Sequence, residues 1–362
     1  MNRILSYIKK SEYTKHVSTL ISGTLLSQGV FFASSIIIAR LYTPTELSVF
    51  AIFFSITFVI SGASSLKYDH AIIIEENDKN TLNILIGSLV LSVIFNTFCL
   101  FIVLIFGKSI GALFSMEPSF IKILYFIPAA SFLLNAYNCF KNFSNRNRFY
   151  KVMAVNKIID SSSISIGQIL LGLLKMSAIG LVFGYIFSKI ISLFHFVFKT
   201  RKIIFFNDIS REQILSQLKS HNRFPKYSLP GETVGTLATH LPVFLIGNFF
   251  GGNALGNYSL VERVLNAPSS LVGSAVLDVF KQKASIEYHE NGDCKKLYVN
   301  TFKILVILGI CPSIILFFFG TELFLFVFGE QWRQAGEYTK VLSGLFFFSF
   351  CCFSINLYVL YC

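Results

Sequence analysis

The apolar positions of this 362-residue chain fall in long blocks separated by short polar breaks. A helix needs about 20 apolar residues to cross a bilayer. Blocks of that order predict ten spans, at 17–41, 47–66, 81–106, 119–140, 152–174, 177–198, 227–249, 254–280, 298–319 and 337–360. The fifth is the least apolar. The seventh carries Pro230 and Pro242, and proline inside a membrane helix kinks the axis and frees a carbonyl. The first block is too long for a signal-peptide core, and a second follows within a few residues, so it reads as a retained span. The fold class is an all-α polytopic membrane protein.

Composition narrows the function classes. Hydrophobic residues make up 54% of the chain and charged residues only 14%, against about 25% charged in soluble domains. A soluble enzyme, a disordered chain and a coiled coil are poor fits. Of the seven cysteines, Cys99, Cys311, Cys351, Cys352 and Cys362 lie inside apolar blocks. There is no CxxC and no Cys/His set with zinc spacing, so they read as small packing residues. Neither a metal nor a cofactor is predicted.

Charge then orients the chain. On one side of the predicted spans the loops hold 21 lysines and arginines, and on the other only Lys108, Lys175 and Arg333. Basic loops stay on the cytoplasmic side, so the N-terminus is predicted to be cytoplasmic. The net charge of +12 is this same signal and calls for no nucleic-acid partner. The outer loops are too short for a folded extracellular domain. The longest inner loop, 199–226, mixes basic residues with Ile209, Ile214, Leu215 and Leu218. That mixture suits either an amphipathic helix on the inner leaflet or a solvated linker.

An internal repeat emerges when the outer turns are superposed. Leu47 meets Leu255 and Phe50 meets Tyr258; Phe106-Gly107 meets Phe319-Gly320, Glu117 meets Glu330 and Tyr125 meets Tyr338. Spans seven to ten thus lie over spans one to four in the same orientation, the plan of two parallel lobes around a central cavity. The expected organisation is an N-terminal six-helix lobe at 1–198, a basic linker at 199–226 and a C-terminal lobe at 227–362. With four spans, that second lobe is expected to be incomplete.

Several segments resemble the oligosaccharide flippases of bacterial polysaccharide biosynthesis, the Wzx-like branch of the MOP superfamily. They are ARLYTPTE at 39–46, LKYDHAII at 66–73, SNRNRFYK at 144–151, QILLG at 168–172, RFPKYSLP at 223–230, LPVFLIGNFFG at 241–251 and LGNYSLVERVLNAP at 255–268. Leu47-Ser48 departs from the aromatic-glycine pair of that pattern. The resemblance implies a non-enzymatic carrier in the bacterial inner membrane. It would move an undecaprenyl-diphosphate-linked oligosaccharide from the cytoplasmic to the periplasmic leaflet by alternating access. Its partners would be that substrate, membrane lipids, and polymerase and chain-length proteins of the same pathway.

Charges inside membrane spans are costly and face a cavity or a partner, and a diphosphate needs positive groups along its path. Arg263, Arg40 and Lys157 are the candidates for that contact. For Arg40 the alternative is snorkelling to outer headgroups. Lys157 has Asp160 three residues on, close enough to pair on one face. Lys189 and Lys303, near the inner face, read as snorkelling. Glu262 and Arg263 are adjacent, point differently, and cannot both satisfy each other. Glu232 and His240, two turns apart, are candidates for coupling to a proton or sodium ion, and Glu232 has a lysine of the 199–226 loop as its alternative partner. Asp69, beside Lys67, is either a gating contact or a solvated cap. Two rivals stay in view: a multidrug/cation antiporter of the same superfamily, and a membrane-embedded polysaccharide polymerase or ligase, which the short outer loops disfavour.

Overall fold

A computed structural model describes the backbone of residues 2–113, 121–201, 203, 209–291 and 295–361, and the side chains within them except those of 2–18, 21, 112–113, 267–279, 281–291, 295–296 and 349–361. The side chain of Glu117, used in the repeat alignment, and those of Cys351, Cys352 and Cys362 lie outside the described residues.

The described residues form helices and no strand. In order these are α1 (Asn2–Leu41), α2 (Pro44–Ser64), the short α3 (Tyr68–Ile74), α4 (Asp78–Leu113) and α5 (Ile127–Arg146). They continue with α6 (Tyr150–Leu173), α7 (Ser177–Thr200), the short α8 (Arg211–Ser220), α9 (Leu229–Asn291), α10 (Lys295–Phe328) and α11 (Arg333–Tyr361). Every predicted span has a helix, seven and eight sharing α9. Among the described residues seven helical segments are long and apolar enough to cross a membrane, and α6, the least apolar span, is not one of them.

The seventh span departs from expectation. Pro230 sits in the first turn of α9, where its missing N–H costs nothing, and the backbone stays helical through Pro242. The break falls at Gly251, with φ 80° and ψ 177°, in the gap at 250–253 expected between the seventh and eighth spans. Glycine takes that conformation without the steric cost a side chain would add.

Helix α4 shows how such a helix divides its faces. Ile94, Phe98, Phe101 and Ile105, spaced along one stripe, are each at least 60% exposed and form a surface for lipid. The opposite stripe buries Ser88, Ser92 and Asn96, and Ser92 Oγ donates to Ser64 Oγ at 3.1 Å. Small polar residues face protein because lipid offers them no partner.

The 199–226 segment forms a helix that docks on protein. Ser210 caps α8 by accepting from the Gln213 N–H at 3.2 Å, as an N-cap serine does. Asn83 donates to Gln213 Oε1 at 3.1 Å and accepts from the Ser210 N–H. Ile214 and Leu218 lie over Gly87, where the lack of a side chain makes room for them.

The helices group into two compact units. One is Thr45–Gly256, and the other joins Met1–Pro44 to Asn257–Cys362. The break therefore follows the first span and the Gly251 kink, not the 199–226 linker. Each unit thus takes the first span of one expected repeat with the later spans of the other. Gly107 faces Tyr125 in the first, and Gly320 faces Gly336 and Lys340 in the second.

Candidate functional site

In the unit Thr45–Gly256, α6 and α7 approach so closely that a Cβ on Gly184 would lie 2.7 Å from the Gln168 backbone N. This brings Lys189 across to Asp160. The ammonium bonds both carboxylate oxygens at 2.8 and 2.7 Å. Ser188 and Ser192 donate to Oδ1 at 2.8 and 3.0 Å. Lys189 also lies 4.7 Å from the Tyr137 ring centre and 5.3 Å from that of Tyr185.

Two expectations are corrected here. Lys189 does not snorkel, its side chain being only 8% exposed, and it takes the Asp160 partnership that three-residue spacing offered to Lys157. The physical reason is the glycine contact, a long-range approach that no helical periodicity encodes. Lys157 is half-buried with contacts of its own.

A second cluster lies where α2 turns into α3. Leu66 and Lys67 take left-handed backbone angles, φ 51° and 63°, a conformation non-glycine residues adopt at a cost of about 1–3 kcal/mol each. The turn carries Lys67 Nζ to Glu232 Oε2 at 2.8 Å. His70 Nδ1 is 3.4 Å from Glu232 Oε1. Among the described residues Glu232 thus pairs with the α2–α3 turn; of the 199–226 lysines, Lys202 lies outside those residues. Asp69 is buried, not a solvated cap: Ser65 Oγ donates to Oδ1 at 2.7 Å, and Asn142 donates to its backbone carbonyl at 3.0 Å.

His240 stands apart from Glu232. Its Nδ1 is 3.0 Å from Ser55 Oγ, and its ring sits 5.2 Å from that of Phe58. Arg146 clamps the next loop by donating to the carbonyls of Glu75 and Glu76 and to Asp78. Tyr68 donates to the Leu218 carbonyl at 2.8 Å, and burial pushes its phenol pKa up, keeping it a donor.

The other unit holds the two arginine candidates. Arg40 ends α1, where Nη2 donates to the Val327 carbonyl at 3.1 Å, one of the carbonyls a helix end leaves free. Beside it, Gln331 and the buried Trp332 both donate to the Ala39 carbonyl at 2.7 Å. In this conformation Arg40 therefore ties α1 to the end of α10.

Arg263 is different. Its guanidinium stacks 4.2 Å from the Phe31 ring centre, while Nε and Nη2 are buried with no hydrogen-bond partner among the described residues. Its neighbour Glu262 bonds Asn266. Two guanidinium nitrogens buried without a partner among the described residues are costly in an apolar interior.

The sequence motifs contained part of this chemistry without revealing it. LKYDHAII held Lys67 and His70 next to Asp69, and their link to Glu232 needed the fold. Lys141, Asn135 and Asn142 carry no signal beyond lying at one end of an apolar block.

Comparisons with known proteins bear on this arrangement. The model of a family described as polysaccharide biosynthesis protein matches residues 37–337. The teichuronic acid biosynthesis protein TuaB of Bacillus subtilis (strain 168) is 26% identical over 129 residues, which is 36% of this chain and 27% of that protein's length. Among solved structures, an inward-facing multidrug resistance MATE family transporter of the MOP superfamily superposes with TM-score 0.63 at 15% identity, over 92% of this chain and 83% of its own. A MOP superfamily transporter from Pyrococcus furiosus gives TM-score 0.52 at 13% identity, over 96% and 84%. At such identities these likenesses establish the fold and nothing finer.

Proposed function

The chain belongs to the polysaccharide biosynthesis protein family, and from that premise we propose that it carries a polyprenyl-diphosphate-linked oligosaccharide across the membrane. In this reading the lipid-linked unit enters from the cytoplasmic leaflet of the bacterial inner membrane and leaves on the periplasmic side. The N-terminus and the basic loops are cytoplasmic, as the charge asymmetry predicts. The segments 1–198 and 227–362 act as the two repeats, joined by 199–226, and alternate their opening around a central cavity. Lys157 and Arg40 are further candidates along the path, and polymerase and chain-length proteins are candidate partners.

The observation that carries the proposal is Arg263. An unpaired buried guanidinium costs several kcal/mol, and a diphosphate would satisfy both donors bidentately. The antiporter alternative needs carboxylates available to a cation. Asp160 and Glu232 are instead occupied by Lys189 and Lys67, which favours the anionic cargo.

The test is genetic. Deleting the gene in its host should leave lipid-linked repeat units accumulated on the inner leaflet, and restoring the chain should clear them. Unchanged leaflet distribution after deletion would contradict the proposal.

A further inference from the structure

The α2–α3 turn, α5 and the start of α9 enclose a cavity of about 200 Å³, all within the unit Thr45–Gly256. At about 30 Å³ per water it has room for on the order of six waters. Its polar lining is rich in donors. Lys67 and Lys141 contribute ammonium groups, and Asn135, Asn138 and Asn142 contribute carboxamides. Ser61 also lines it, with a buried Oγ that has no partner among the described residues.

The charges are unequally answered. Asp69 is held by Ser65 and Asn142. Among the described residues no carboxylate lies within ion-pair distance of Lys141. Lys67, its side chain 10% exposed, is answered by Glu232, whose own side chain is 41% exposed and reaches in from the first turn of α9. That carboxylate also approaches His70 at 3.4 Å. Without Glu232, the Lys67 ammonium would face the cavity together with Lys141, while His70 would keep Asp69 Oδ2 at 3.7 Å from its Nε2.

We propose that this cavity is a diphosphate-binding site and that Glu232 is an internal carboxylate which the incoming diphosphate displaces from Lys67 and His70. This deepens the carrier reading and rests on it. A diphosphate offers more acceptor oxygens and more charge than one carboxylate, so it can bond Lys67 and Lys141 together. Glu232 stands just past the π-helical turn Phe224–Ser228, on the span that breaks at Gly251. Its release therefore removes the tie of the start of α9 to Lys67 and His70 in the α2–α3 region.

The sign of one substitution separates this from a structural ion pair. In lipid nanodiscs the full chain is titrated with polyprenyl diphosphate, polyprenyl monophosphate and inorganic pyrophosphate. Glu232→Gln removes the competitor and should tighten polyprenyl diphosphate binding about tenfold, the scale of one desolvated charge pair. Lys141→Gln should weaken it by about as much, and thermal melting checks that both variants remain folded. A response confined to the lipid-linked diphosphate assigns the site to the lipid headgroup. A response shared with inorganic pyrophosphate assigns it to the diphosphate alone. Glu232→Gln binding that is weaker than or equal to the unaltered chain overturns the proposal, as does an equal response to the monophosphate. Such a failure leaves the carrier reading standing, because that reading is tested by the leaflet distribution of repeat units.

Discussion

Lys189 and Arg263 are both cations in membrane-spanning helices, the first buried and the second half-buried with Nε and Nη2 inside, and they are treated in opposite ways. Lys189 meets two carboxylate oxygens, with two serines completing the Asp160 shell and two tyrosine rings alongside. Among the described residues, Arg263 meets the Phe31 ring, and its Nε and Nη2 find no hydrogen-bond partner. A charge that is fully paired holds helices together. In the proposed reading, a charge left without a described partner is a cost the fold sustains for the cargo.

That contrast can be broken most sharply at Arg263. Arg263→Ala should abolish export of lipid-linked repeat units while membrane insertion continues, and Arg263→Lys should retain part of it, because charge survives without the bidentate fork. Leaflet-resolved labelling of repeat units reads both. Normal export from the alanine variant would make Arg263 a structural residue like Lys189.

Next in size is the paired charge. Asp160→Ala strands Lys189 in the interior and should cost about 3–5 kcal/mol of stability, seen as a lowered melting temperature in detergent. The double change Asp160→Leu with Lys189→Met should recover most of that loss, since buried pairs exchange for apolar groups at little cost. A double variant as unstable as the single one would show that the pair does more than satisfy itself.

The contact beneath the pair comes third. Gly184→Val places a side chain against the Gln168 backbone and should cost about 1–3 kcal/mol through overpacking, again in the melting temperature. Smallest is Arg40→Gln, which removes the bond to the Val327 carbonyl on an exposed side chain. A loss of about 0.5–1.5 kcal/mol is expected, with export reduced rather than abolished if Arg40 has no part in the path.

Much of the fold was legible because membrane helices announce themselves by length and apolarity. Pro230 and Pro242 read as interruptions of the seventh span, but the backbone stays helical through both, and the break falls at Gly251, inside the gap at 250–253 that hydropathy left between the seventh and eighth spans. The candidate site was legible as a set of costly charges and illegible as pairs. Asp160 found Lys189 through a glycine contact between α6 and α7, and Glu232 found Lys67 across more than 160 positions of sequence. Periodicity reports only neighbours one turn away.

The most direct test compares the two cations by ligand affinity. Polyprenyl diphosphate binding to the purified chain should fall about tenfold or more in Arg263→Ala. It should stay within twofold, roughly the scale of experimental additivity, in the Asp160→Leu, Lys189→Met double variant. Equal loss in both, or loss only in the double variant, would contradict the account that the unpaired arginine, and not the paired lysine, meets the cargo.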